Sequence, residues 1–103
     1  MSDLNSFKSE IDLIVFAASH GYFIDEKASA QNYKMMRNAQ DDKIAVMLNG
    51  ENGQWVYCSN RDPNDKGSII DFLINRGYER NDWRRIAATL REWNGEETPL
   101  KYM

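Results

Sequence analysis

The stretch QWVYCSNRDPNDKGSIIDFL, residues 54–73, constrains the fold of this chain more than any other segment. Its aromatic and β-branched start reads as a strand. A loop of Asn, Asp, Pro and Gly follows, residue types that turn the chain because they bond nearby backbone or preset φ. Ser68 then precedes Ile69, Ile70, Phe72 and Leu73. Its hydroxyl is placed to cap the amides of a first helical turn, and Asp71, three residues on, completes a capping box. A strand needs a sheet to join, and so apolar a helix needs a layer to cover, which together specify an α+β arrangement.

The sheet partner is legible next door. KIAVML (43–48) alternates, with Ile44, Val46 and Leu48 on one face. NGENG separates it from QWVYCS (54–59), and its two Asn-Gly pairs suit positive φ. That length predicts a bulged hairpin rather than a tight two-residue turn. In the second arm Trp55, Tyr57 and Ser59 share one face, and Val56 and Cys58 the other. The Val-Cys pair is expected to face the core, leaving Trp55 and Tyr57 exposed or half-exposed. YKMMR (33–37) makes a further strand, with Tyr33, Met35 and Arg37 on one face and Lys34 and Met36 on the other.

Helices flank these strands. Ser9 and Asp12 have capping-box spacing, and Ile11, Ile14, Val15 and Ala18 form a helical stripe that Gly21 ends. His20, the only histidine, then sits at the negative end of the helix dipole, a better account of it than catalysis. Near the other end, RNDWRRIAATLREWNG predicts a helix capped by Asn81 or Asp82 and closed by Gly95. Trp83, Ile86, Leu90 and Trp93 are its expected buried stripe, with Arg84, Arg85 and Arg91 largely off it. The expectation is one small α+β domain over residues 1–95, with a tail or linker at 96–103. It has an N-terminal helix, a three-stranded or four-stranded antiparallel sheet, and two C-terminal helices.

Composition excludes several classes of function. One cysteine forbids an intramolecular disulfide. No run approaches the roughly 18 apolar residues of a membrane span, and MSDLNSFKSE lacks a signal-peptide pattern, so the expected compartment is the cytoplasm. Structural zinc needs four Cys or His ligands, whereas Cys58 and His20 stand alone and far apart. RDPNDKG lacks the Gly and Glu positions of a calcium loop, and the expectation is no metal and no cofactor. There is no GxSxG, no Walker loop and no Cys-His pairing at readable spacing, and Asp41-Asp42 reads as a turn. Cys58 is expected to be a small packed residue rather than a reactive thiol.

The positive signal is electrostatic. Residues 27–91 carry eleven Lys or Arg against eight Asp or Glu, between acidic ends of net −4 (residues 1–26) and −2 (residues 92–103). Lys34, Arg37 and Lys43 on the sheet, with Trp55 and Tyr57, offer cations beside aromatic faces, the combination that holds single-stranded nucleic acid. Gly67 and Ser68 open a helix whose free amides suit a phosphate, and Arg61 and Lys66 flank that loop. The competing reading takes the cations as solvated surface and the aromatics as core. On these residues alone it has slightly the stronger case.

A resemblance shifts that balance. The element order and WVYCSNRDPNDKGSIIDFL resemble the CHC-type zinc-binding N-terminal domain of DnaG-type primases over roughly residues 9–92. The pattern K-I-x-V, W-V-Y, R-D and D-x-G-S-I-I-D-F is similar to the zinc-less version found before Toprim domains in primase-like proteins of mobile elements. Arg61 stands where the family's second knuckle has a further cysteine, and SAQNYKMMRN holds no Cys-x-x-His, so the scaffold carries over and the zinc does not. Tyr33, Met35 and Met36 are expected to fill the space of the first ligand pair, and the turn residues of RDPNDKG to brace the second. The resemblance implies a non-catalytic module that recognises single-stranded DNA template for a primase, helicase or other replication protein. Lys34, Arg37, Lys43, Trp55, Tyr57, Arg61 and Lys66 are its expected contacts, with Ser68 as helix cap and candidate phosphate ligand. The alternative is an adaptor of a mobile element or phage that docks on a replication protein.

Overall fold

The computed structural model describes residues 4–93 and 95. The chain forms α1 (Leu4–Glu10), α2 (Leu13–Ser19), β1 (Phe23–Ile24), β2 (Lys34–Arg37), β3 (Lys43–Leu48), β4 (Trp55–Ser59), β5 (Lys66–Gly67), α3 (Ile69–Ile74) and α4 (Trp83–Trp93). The strands make one antiparallel meander in the order β1-β2-β3-β4-β5. The class is α+β, as expected, but the sheet has five strands rather than three or four. The two additional strands, β1 and β5, are two residues each, too short to show a period. Short outer strands also leave little unpaired edge for another chain to join.

The N-terminal helix differs from expectation. It is two helices, because Asp12 acts as a cap instead of the third position of a Ser9 capping box. Its carboxylate accepts the Ile14 and Val15 amides at 2.9 and 3.3 Å. Ser9 lies inside α1 and donates to the Ser6 carbonyl. The buried stripe of α2 is Leu13, Phe16 and Ala17, while Val15 is 53% exposed and Ala18 is exposed. Of the four residues expected there, Ile11 is buried and Ile14 half-buried; both stripes fit a helical period, and the bulk of Phe16 decides between them. Gly21, at φ 91°, ends the helix as predicted.

The core lies between the helices and one face of the sheet. Met36, Ile44, Val46 and Tyr57 supply the sheet side, and Phe7, Phe16, Phe72 and Leu90 the helical side. Phe72 is central, its ring 5.5 Å edge-on from Tyr57, 5.6 Å from Tyr22 and 6.2 Å from Phe16. Burying one such side chain contributes about 1.5–3 kcal/mol.

The faces of β4 are the reverse of the expectation. Tyr57 is 2% exposed, whereas Cys58 is exposed and Val56 half-buried. Register is the reason: Val46 lies opposite Tyr57 and Ile44 opposite Ser59, so the inward face of β3 dictates that of β4. Cys58 pairs with Ala45 on the outside and is no packed remnant.

The later helices follow the sequence more closely. Ser68 and Asp71 form the predicted capping box of α3. Gly67 precedes it at φ 129°, and a Cβ there would lie 2.2 Å from Asp71 Oδ2. Asp82 caps α4, accepting the Arg85 amide at 3.1 Å, and Gly95 follows the helix at φ 79°. Ile86 and Leu90 are buried as expected, but Trp83 and Trp93 remain 48% and 40% exposed, Trp93 resting edge-on against Phe16 at 5.2 Å. The tail at 96–103 lies outside the described residues.

Candidate nucleic-acid interface

Strand alternation sends every second side chain away from the helices. The register aligns Met35, Ala45, Cys58 and Lys66 across four strands, with Phe23, Arg37 and Lys43 aligned in the next row. These outward side chains are half-buried or exposed, unlike their buried neighbours Met36, Ile44 and Tyr57. The Arg37 guanidinium lies 5.3 Å from the centre of the Phe23 ring, which is 50% exposed. Arg37, Lys43, Met35 and Asn60 line a hollow of about 270 Å³ with Asp25, Ala28 and Met36. The outer face is therefore a sheet surface with cations, an exposed aromatic and a shallow depression.

The predicted contact residues divide into groups. Arg37, Lys43 and Lys66 share the outer face. Arg61 joins them through Asp41, whose carboxylate lies 3.0 Å from Arg61 Nη2 and 3.8 Å from Lys43 Nζ. These are solvent-exposed pairs, weak enough for a phosphate to displace the carboxylate. Lys34 faces the other way, opposite Val46, and lies 4.0 Å from Glu26. Trp55 is half-buried against the core and lines a separate hollow of about 180 Å³ with Ile14, Tyr33, Lys34 and Leu48. Two residues lie inside the fold. Tyr57 has no ring face free for stacking, because its face belongs to the core. Ser68 is 8% exposed; its hydroxyl accepts the Ile70 amide and bonds Asp71. Its own amide already donates to Asp71, so the chain's carboxylate occupies the place where a phosphate was expected.

Beneath the rim of the outer face is a polar network that sequence reasoning missed. Arg76, just past α3, donates to both Asp65 oxygens at 2.9 Å and to Asp42 at 3.0 Å. Its Nε donates to the Tyr22 hydroxyl at 2.9 Å, and its guanidinium lies 4.6 Å from the centre of the Phe72 ring. Tyr57 donates to Asp65 at 2.5 Å and accepts from Asn75 at 3.0 Å, while the Tyr22 hydroxyl donates to Asp42. Asp42 precedes Lys43 and Asp65 precedes Lys66. One guanidinium thus holds the β2–β3 turn and the β4–β5 loop, and so positions the cations beside them.

Electrostatics follow from this geometry. Burial pushes the Tyr57 phenol well above its ordinary value, with its bond to Asp65 acting the same way. Burial alone also pushes the Asp65 carboxyl up, but hydrogen bonds from Arg76 and Tyr57 and the guanidinium charge outweigh it and leave Asp65 below the usual range. Burial disfavours the Arg76 cation, and the bonds to Asp65 and Tyr22 more than compensate, raising its pKa. The raised Tyr22 and Tyr57 phenols stay protonated at neutral pH beside the Arg76 cation and the Asp65 carboxylate.

A signal for Arg76 did exist: it is a lone cation ending an apolar helix, between Asn75 and Gly77. Phe23 had none beyond following the Gly21 stop. Among the described residues no group of three His, Cys, Asp or Glu is arranged to hold a metal ion, and no helix is long and apolar enough to cross a membrane. Comparison with family models, curated proteins and solved structures found no match.

Proposed function

We propose that this protein is a non-catalytic module that binds single-stranded DNA on the outer face of its sheet. The observation that carries the reading is the row of Phe23, Arg37 and Lys43, with Lys66 in the adjoining row, on a face turned away from the helices. Cations hold phosphates and an aromatic face stacks a base, a pairing suited to unpaired strands. The likeness to primase-type domains supplies the setting, template recognition for a replication partner.

The test is fluorescence anisotropy of a labelled oligothymidylate and its duplex at low and moderate salt. Binding is expected to prefer the single strand and to weaken steeply with salt. Replacing Arg37, Lys43 and Lys66 together by Ala should reduce the log–log salt slope by about 2, at about 0.7 per phosphate contact. Equal affinity for parent and triple variant would refute this face. One feature favours the adaptor reading instead: the hollow formed by Ile14, Leu48 and Trp55 is apolar, and Leu48 is 51% exposed. No binding to either oligonucleotide at low salt would select it.

A further inference from the structure

The arginines of α4 and its approach are not explained by the outer sheet face. Arg80, Arg84 and Arg85 are exposed and Arg91 is half-buried, and none of them takes part in an ion pair among the described residues. Lys34, Lys43 and Arg61, by contrast, each have a carboxylate within 4.0 Å. The placement of Arg84 and Arg85 is also costly. The first turn of α4 has no acidic residue beyond its Asp82 cap, and cations there oppose the helix dipole.

Helical spacing organises these groups. Arg84 and Arg91 are seven residues apart and lie on one flank, about 10 Å apart along the axis. The exposed Ala88 lies between them, short enough to leave the flank open, with the buried Ala87 at its inner margin. Trp83, 48% exposed, borders the same flank at the start of the helix. Arg91 Nε is buried without a hydrogen-bond partner among the described residues. Such an orphaned donor costs free energy unless an acceptor arrives. Arg85 is set apart, its guanidinium 4.2 Å from the centre of the Tyr78 ring, and Glu92 lies on that side of the helix.

We infer that the Trp83–Arg84–Arg91 flank of α4, with Arg80, is a second contact surface for single-stranded nucleic acid. Unpaired cations supply the phosphate contacts, and Trp83 offers a face on which a base can stack. A duplex presents no base faces to stack on, so the single strand is the better ligand for this surface. The inference rests on the ligand class proposed above but on a different surface. A strand touching both faces must pass around the edge of the domain, because the helices cover the opposite side of the sheet.

The test uses the Trp55→Phe/Trp93→Phe variant, in which Trp83 is the only remaining tryptophan. Titration with oligothymidylate is followed by Trp83 emission and, in parallel, by anisotropy of a labelled strand. Trp83 emission is expected to be quenched in a salt-sensitive way. Arg80→Ala/Arg84→Ala should weaken that quenching at least tenfold, and circular dichroism should show the fold kept, since both side chains are exposed. Should the double Phe variant not fold, Trp83→Ala in the parent chain is expected to weaken binding and lower the total quench. Anisotropy binding with unchanged Trp83 emission overturns this inference and leaves the sheet-face proposal standing. Quenching that survives Ala at Arg37, Lys43 and Lys66, when anisotropy shows no loss in that variant, upholds the helix flank and overturns the sheet face. No response in either channel overturns both. Quenching by polyglutamate as strong as by oligothymidylate overturns the nucleic-acid assignment in favour of an acidic protein partner.

Discussion

Replacing Arg76 by Met is the most demanding test of how this fold is held together. Met keeps much of the length of the side chain and its contact with Phe72, but it removes the charge and every donor. Asp65 and Asp42, with side chains only 16% and 31% exposed, would then face each other without a cation. Removing one partner of a buried ion pair costs about 3–5 kcal/mol, because the remaining charge is stranded in a poor solvent. Water reaching Asp42 relieves part of this, so the expected loss is at the lower end, about 3 kcal/mol. For a domain of this size that lowers Tm by roughly 12–24 °C, at about 4–8 °C per kcal/mol. Urea unfolding followed by circular dichroism measures it, with an unchanged m-value showing that the two end states are the same. Adding Asp65→Asn to Arg76→Met should recover part of the loss by neutralising the stranded carboxylate, a coupling of about 0.5–3 kcal/mol. A loss below about 1 kcal/mol, the scale of solvated surface pairs, would refute the reasoning. So would the absence of any recovery.

Other outcomes follow from the same geometry. Because the Asp65 pKa is depressed in the folded chain, its contribution to stability is complete above the unfolded value of about 4 and is lost as pH falls through the lower folded value. Urea midpoints should therefore drop on acidification below about pH 4, and the drop should be shallower in Asp65→Asn. Gly67→Ala is expected to destabilise by about 1–3 kcal/mol, since it forces a side chain into positive φ and into Asp71. An unchanged urea midpoint would show that the capping box gives way freely. Cys58 should react with a thiol reagent in the native protein at a rate close to that of the urea-unfolded chain, since it is exposed; strong protection would place it back in the core.

Much of the architecture was legible because its causes are local. The Ser68–Asp71 box, the Gly21 stop, the Asp82 cap and the alternation of β3 all depend on residues within a few positions of each other. The errors about which face is buried share one cause. Val56 and Cys58 read as core because they are apolar, yet period-two alternation gives two faces and does not say which one a helix will cover. The two stripes of α2 were ambiguous for the same reason. Half of the candidate interface was misplaced along with them: Tyr57 went inward and Trp55 to the hairpin's other side, while Phe23 entered from a strand too short to recognise.

The sequence by itself determined the class of the fold, most of its elements and where they stop, since helix caps, turns and strand periods are properties of neighbouring residues. Only the tertiary structure decided which faces look inward and which cations lack a carboxylate partner among the described residues. It also assembled the brace around Arg76, which reaches back 34 residues to Asp42 and 54 to Tyr22. Such contacts form only when separate elements pack, and no spacing along the chain encodes them.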